Sequence, residues 1–167
     1  MIIAPGKSIN DYSDKIYDIS KSKLIVSLNH IPSFITPDYI LPTREDAFYE
    51  CISNEIKTIV PSNIYTKSSN NIFVINYNSW IEEYDNRVYD FSGVFSIKLA
   101  LFLNSKSISL SGFDGFSINI NSNYYSEKFK RDLSDIEVRK RNNFFKQFIS
   151  KSKNKIVINF ITPSIYE

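Results

Sequence analysis

Gly6, Lys7 and Ser8 lie in a turn between the first apolar run of the chain, residues 1–4, and a predicted helix. A glycine lets the backbone approach a phosphate closely, and unpaired N–H groups at the start of a helix attract anions. Lys7 and Ser8 would add a positive charge and a hydroxyl. The turn has neither the GxxxxGK[ST] nor the GxGxxG pattern. An anion-binding loop and an ordinary Pro-Gly turn are therefore both consistent with it.

A second group of such residues lies between positions 92 and 114. Ser92 and Gly93 begin a predicted helix and could present two backbone donors to an anion. A β-rich run over 107–110 leads to Gly112 and Asp114. A carboxylate at a strand end can hold a ribose hydroxyl, a metal or a helix N-terminus. The alternative is that Asp114 only caps the turn that follows it.

Asn29 follows the second predicted strand, where its amide could hold a ribose or a base edge. His30 is the one histidine and Cys51 the one cysteine, which argues against a zinc site of ordinary composition. A hydrogen-bonded loop role is more typical for His30 than a base or ligand role, and Cys51 is interpreted as a buried structural thiol. Tyr124 and Tyr125, with Phe129, could stack as a lid over a base or pack as core.

Short apolar runs alternate with longer helical segments, and this order of elements must position the residues above. Strands are predicted at 1–4, 24–28, 39–41, 58–60, 72–75, 107–110 and 156–159. Helices are predicted after residue 10, over 44–54 with Thr43 as its cap, from residue 93, and up to residue 150 with Ser134-Asp135 as its cap. Residues 78–86 are either a short helix or an irregular loop. The pattern predicts an α/β fold: a single three-layer Rossmann-like domain over 1–167, with a mainly parallel sheet and helices on both faces. In such sheets ligands bind outside the carboxyl ends of the strands.

Composition narrows the classes of partner. The formal net charge of +2 over 167 residues, with both signs interspersed, does not favour nucleic acid. The densest basic segment, 139–155, is interpreted as the solvated face of a helix, with an anionic docking surface as the alternative. No apolar run approaches the roughly 20 residues of a membrane span. No signal peptide is visible, so we expect a cytoplasmic protein without a membrane span.

Five segments together resemble the hydroxymethylpterin diphosphokinase (MptE-like) family and, more distantly, the bacterial lipooligosaccharide sialyltransferases. They are APGKSI at 4–9, SLNHIP at 27–32, YILPTR at 39–44, FSGVFSIKLALFLNSKSISLSGFD at 91–114 and KIVINFITPS at 155–164. The resemblance implies a Rossmann-like fold that binds nucleotide phosphates. It also implies the nucleotide-contacting positions, which are Gly6, Ser8, Asn29, Ser92, Gly93, Gly112 and Asp114, with Lys7 beside them.

The expected function is binding of a nucleotide or nucleotide-sugar. If the domain is catalytic, the resemblance implies a transferase for glycosyl- or sialyl-type groups in surface polysaccharide biosynthesis, with a CMP-type nucleotide as the candidate donor and magnesium as a candidate cofactor. No residue is assigned to catalysis. The alternative is a non-catalytic accessory or docking domain associated with an aldolase-like enzyme, because short domains of this kind occur joined to such enzymes.

Overall fold

Seven parallel strands form the central sheet. The computed structural model describes residues 1–119, 124 and 133–167. The strands of this sheet are β1 (Ile2–Ile3), β2 (Val26–Leu28), β3 (Tyr39–Leu41), β4 (Thr58–Pro61), β5 (Ile72–Ile75), β8 (Ser107–Ser111) and β9 (Val157–Phe160). Their spatial order is β5-β4-β3-β2-β1-β8-β9, and each neighbouring pair is parallel.

Within the described ranges, six helices and one hairpin connect these strands. The helices are α1 (Ser8–Asp11), α2 (Ser13–Ser20), α3 (Glu45–Ile52), α4 (Tyr77–Trp80), α5 (Ser92–Phe102) and α6 (Asp135–Lys153). The hairpin consists of β6 (Glu82–Tyr84) and β7 (Arg87–Tyr89), which pair antiparallel outside the main sheet. Among the described residues, no helix is long and apolar enough to cross a membrane.

The sheet is covered on both faces because side chains alternate along each strand. Ile2 belongs to the larger core cluster, with the buried residues of α5 and α6. Its neighbour Ile3 belongs to a second cluster with Ile9 and Ile16 of α1 and α2. Even this two-residue central strand therefore packs against helices on both sides. The predicted three-layer α/β fold with a parallel sheet is confirmed.

Two local predictions were wrong. Thr43 does not cap α3: the helix begins after Arg44, without a side-chain cap, and the N–H of Thr43 donates to Asn29 instead. Residues 78–80 do lie in the short helix α4, but residues 82–86 are neither helix nor irregular loop, since they belong to the hairpin, whose turn residues Asp85 and Asn86 both have positive φ. The predicted cap of the last helix is confirmed, because Ser134 accepts a hydrogen bond from the N–H of Glu137.

The chain reverses its direction of travel across the sheet at β1. Strands β1 to β5 follow one another outward on one side, and the chain then returns to place β8 and β9 on the other side of β1. The boundary between β1 and β8 is therefore the topological switch point, where loops leave in opposite directions and open a crevice. Gly6 follows β1, and Gly112 and Asp114 follow β8.

Candidate functional site

A cavity of about 290 Å³ opens at this switch point. Its lining comes from the ends of β1, β2 and β8, the start of α5, the second strand of the hairpin, and α6. The predicted site residues that line it are Gly6, Asn29, Ser92, Gly93, Gly112 and Asp114. Lys7 is exposed and Ser8 is half-buried, and neither belongs to this lining. Six of the eight predicted positions thus share one cavity.

Gly6 and Gly112 bring two backbone segments into contact. The N–H of Gly6 donates to the carbonyl of Gly112 over 3.1 Å. A Cβ on Gly6 would lie 2.2 Å from that carbonyl oxygen, and a Cβ on Gly112 would lie 2.1 Å from the carbonyl oxygen of Ala4. Gly112 also has a φ of +73°, which side-chain-bearing residues rarely adopt. Close packing of backbone at the switch point is therefore sufficient to require both glycines.

Asp114 occupies the N-terminus of α1. The N–H of Ser8 donates to its Oδ2 over 2.8 Å, and the Ser8 hydroxyl donates to its Oδ1. Burial raises the pKa of the Asp114 carboxyl above its ordinary value, whereas the hydrogen bonds from Ser8 and from the N–H of Lys7 act to lower that pKa. Of the roles considered for this carboxylate, the structure shows the holding of a helix N-terminus. The first turn of α1 therefore already has an anion.

Asn29 connects three elements at one end of the cavity. It follows β2 in a left-handed conformation with φ of 60° and is 8% exposed. Its Oδ1 accepts from the N–H of Thr43 over 2.7 Å, and its Nδ2 donates to the Ser92 hydroxyl over 3.0 Å. The amide thus ties the loops after β2 and β3 to the start of α5. The Asn29 side chain therefore positions these loops against the start of α5.

The start of α5 differs from the start of α1 in having open donors. Phe91 is its N-cap residue and makes no side-chain cap. The N–H groups of Ser92 and Gly93 make no hydrogen bond to any described residue. A Cβ on Gly93 would lie 3.0 Å from Phe145 and 3.2 Å from Phe113, so the helix start packs tightly against aromatic rings. Helix α5 therefore presents two backbone donors beside the cavity.

Asn142 fixes the backbone beside an aromatic wall of the cavity, which the rings of Phe91 and Phe116 form. Its Oδ1 accepts from the N–H of Phe116 over 2.9 Å and from the Tyr166 hydroxyl over 2.7 Å, while its Nδ2 donates to the Phe116 carbonyl over 2.8 Å. The Phe116 ring lies 5.9 Å from the Phe91 ring, centroid to centroid, and carries the Arg141 guanidinium over its face at 5.5 Å. Burial raises the pKa of the Tyr166 hydroxyl. This wall is rigid because its backbone is clamped on both sides.

Sequence reasoning missed the charged part of the lining. Of the described residues, four with cationic side chains line the cavity: Arg44, Arg87, Lys140 and Arg141. Arg44 forms an ion pair with Asp46. The basic segment at 139–155 was the one available signal for the two residues on α6. No signal for Arg87 existed without the hairpin that carries it.

The other singled-out residues are placed as follows. Tyr124 lines the cavity, whereas Tyr125 and Phe129 lie outside the described residues. His30 is buried, with its Nδ1 2.8 Å from the Leu28 carbonyl oxygen, in agreement with a hydrogen-bonded loop residue. Cys51 is buried in α3, as interpreted.

The site can bind an anion and an aromatic or sugar ring, since it combines backbone donors, cations and ring faces. Within the described part of the chain, no group of three or more His, Cys, Asp or Glu side chains is arranged to hold a metal ion. Comparison of the chain with family models, with curated proteins and with solved structures gives no match.

Proposed function

We propose that the cavity binds a nucleotide or nucleotide-sugar. One observation carries this proposal: the open backbone donors of α5, the cationic side chains and the aromatic rings all border a cavity at the switch point of a parallel sheet. This is the position where doubly wound sheets bind such ligands. The volume of about 290 Å³ is at the low end for small-molecule sites, which suits one nucleotide better than a dinucleotide.

The phosphate would bind at α5. At α1, the N–H groups of Lys7 and Ser8 already donate to Asp114 and the N–H of Gly6 donates to Gly112, so a phosphate there would have to displace a carboxylate. At α5 the N–H groups of Ser92 and Gly93 are open, and the helix dipole adds a favourable field. The Ser92 hydroxyl, which accepts from Asn29, can still donate its own hydrogen to a phosphate oxygen.

The base or sugar would lie on the aromatic wall. Phe91 and Phe116 stand between the start of α5 and helix α6, and Tyr124 borders the same cavity. An aromatic face stacks on a nucleobase without selecting among bases. Stacking therefore supplies affinity, and the choice of base is left to the polar groups around it.

The finer role that we propose is group transfer from an activated phosphate donor in surface polysaccharide assembly in the cytoplasm. The support is the five-segment resemblance and the α5 donors, which would stabilise the negative charge that develops on a leaving phosphate. In this arrangement Lys7 takes no part, because it lies outside the cavity lining. Asp114 positions α1 and so holds the loop that carries Gly6.

A pair of substitutions at Ser92 tests the phosphate site. Proline is tolerated as the first residue of a helix, and Phe91, which would precede it, already has an extended conformation (φ −76°, ψ 155°). S92P removes the N–H and the hydroxyl, whereas the matched control S92A removes the hydroxyl alone. A charge-assisted hydrogen bond contributes about 1.5–3 kcal/mol, so S92P should bind at least about tenfold more weakly than S92A.

The measurement is isothermal titration calorimetry with CMP, UMP and AMP, with melting temperatures of both variants as the folding control. Equal affinities of S92P and S92A would place the phosphate elsewhere. If no nucleotide binds the unaltered protein, nucleotide binding is refuted and the second candidate, a docking domain for an aldolase-like enzyme, becomes the better one. That candidate is favoured by apolar side chains exposed near the amino ends of the strands, where Leu24, Phe102 and Leu103 are 55%, 73% and 59% exposed.

A further inference from the structure

We propose that Arg87, Lys140 and Arg141 form a second anion subsite on the cavity, so that the ligand carries a second anionic group beyond the phosphate at α5. This inference rests on the proposed function, since it names the class of ligand for the same cavity. The residues come from two elements distant in sequence: Arg87 from the hairpin strand β7, and Lys140 and Arg141 from α6. All three line the cavity.

Among the described residues, these three cations have no acidic partner. Within the described ranges, none of them forms an ion pair, although other surface cations do. Arg139 shows the contrast: it is adjacent to Lys140, is 78% exposed, and lies 3.9 Å from Asp135 on its own helix. Three positive charges collected on one cavity repel each other, and an anionic ligand would relieve that repulsion.

The carboxylates that line the same cavity, within the part of the chain that the structure describes, do not neutralise the cluster. Asp114 is bound to Ser8, and Asp90 accepts a hydrogen bond from the Tyr77 hydroxyl over 2.8 Å. Glu137 precedes Lys140 by one turn of α6, but it lies within ion-pair distance of none of the three cations. The cluster therefore keeps a net positive charge.

The hairpin that supplies Arg87 is fastened to the helices that flank the cavity. Lys98 of α5 forms an ion pair of 2.5 Å with Glu82. The Tyr84 hydroxyl accepts from Gln147 of α6 over 2.9 Å, and the Tyr89 ring stacks on Phe144 of α6 with a centroid distance of 3.9 Å. Because β7 and α6 are packed together, the strand that carries Arg87 is fastened to the helix that carries Lys140 and Arg141.

The second subsite is distinct from the start of α5. Phe91 immediately precedes Ser92, its ring contacts Phe116, and Arg141 lies over the far partner of that ring pair. The Phe91 and Phe116 rings thus connect the start of α5 to Arg141 of the cluster. A single phosphate bound at α5 leaves the positive charges of the cluster without an anion. A ligand with a second phosphate, or with a carboxylate on its sugar, would occupy both the start of α5 and the cluster.

The experiment compares ligands that differ in the second anionic group. Calorimetric titrations use a nucleoside monophosphate, the corresponding diphosphate, and the monophosphate linked to a sugar that bears a carboxylate. They are done with the unaltered chain, with the double variant R87Q/K140Q, and with the control R139Q, which removes the same charge from α6 outside the cavity lining. R141Q is left as a separate variant because Arg141 also covers the Phe116 ring.

The expected result is that at least one ligand with two anionic groups binds tenfold or more tightly than the monophosphate, and that R87Q/K140Q weakens this ligand at least about tenfold more than it weakens the monophosphate. R139Q should leave the advantage intact. The ligand that shows the advantage identifies the second group as phosphate or carboxylate.

Three outcomes would overturn the inference, and they are distinguishable. If the monophosphate binds but neither ligand with a second anionic group binds more tightly, the second subsite is refuted while nucleotide binding stands. If no nucleotide binds at all, the proposed function fails and the inference fails with it. An advantage that survives R87Q/K140Q, with both variants folded by their melting temperatures, also refutes the assignment to these residues.

Discussion

The carboxylate of Asp114 joins two parts of the chain that are 106 positions apart. A comparison of the substitutions D114A and D114N should separate the effect of its negative charge from that of its hydrogen-bonding oxygens. In D114A, the N–H and hydroxyl of Ser8 lose their acceptor in a half-buried place. Each hydrogen bond contributes about 1 kcal/mol net, and loss of a helix cap costs about the same. We therefore expect D114A to lower the free energy of unfolding by about 2–3 kcal/mol.

D114N should be much milder. Its Oδ1 can still accept from the N–H of Ser8, and the Ser8 hydroxyl can turn to accept from the new amide. Burial raises the pKa of Asp114 in the folded state, which means that the charged form is the more costly one to bury. Loss of the negative charge at the N-terminus of α1 works in the opposite direction and should lower the free energy of unfolding by about 0.3–1 kcal/mol. D114N should therefore lie within about 1 kcal/mol of the unaltered protein at neutral pH.

The same raised pKa fixes the sign of the pH dependence. Since the folded state keeps the Asp114 proton to a higher pH than the unfolded chain, its contribution to stability is present below the ordinary pKa of 3.8 and is lost as pH rises through the folded-state pKa. Relative to D114N, which cannot titrate there, the unaltered protein should lose stability across that window. Urea denaturation at pH values from 3.5 to 7, followed by the fluorescence of the one tryptophan, Trp80, measures both quantities. The reasoning is refuted if D114N is as unstable as D114A, or if stability relative to D114N increases with pH.

Two further predictions concern the scaffold of the cavity and use the same urea denaturation. N142A removes three hydrogen bonds, two to the backbone of Phe116 and one to Tyr166, and should lower the free energy of unfolding by about 2–3 kcal/mol. N142D keeps the acceptor oxygen and should cost about half as much. Equal losses of stability in the two variants would show that the acceptor contributes nothing. G112A should cost at least about 3 kcal/mol, because its Cβ would lie 2.1 Å from a backbone oxygen at a φ of +73°. G93A meets only ring atoms at 3.0–3.2 Å and should cost less, so a G93A loss as large as that of G112A would contradict the difference between backbone and side-chain contact.

The parallel sheet could be predicted from sequence because its strands are short apolar runs separated by helices. Runs such as 39–41 and 58–60 have no polar alternation, which is typical of strands covered on both faces. The same logic brought the residues after β1, β2 and β8 to one edge. The existence of the strands and helices could therefore be predicted from sequence, whereas the start of the first helix could not. That helix begins at Ser8 because Asp114, far away in sequence, accepts a hydrogen bond from the N–H of Ser8.

The hairpin was missed because its strands are half-exposed and charged. Glu82-Glu83-Tyr84 and Arg87-Val88-Tyr89 look like a polar loop, and only the two-residue turn Asp85-Asn86, with φ of 50° and 56°, marks them as antiparallel strands. This segment carries Arg87, so the omission also concealed the cationic cluster. Its stability comes from contacts with α5 and α6, which local propensity does not contain.

The switch point shows why glycines at strand ends are ambiguous evidence for phosphate binding. Gly6 and Gly112 have the positions expected of a phosphate-binding loop. Each is nevertheless required for another reason, because neighbouring backbone comes so close that a Cβ would not fit even where no ligand binds. The N-terminus beside them is closed by Asp114, and the open N-terminus is that of α5, whose glycine packs on Phe145. A ligand in this cavity should accordingly be anchored at α5 and by the cations opposite, so its affinity should fall with added salt more steeply than contact with neutral backbone donors alone would produce.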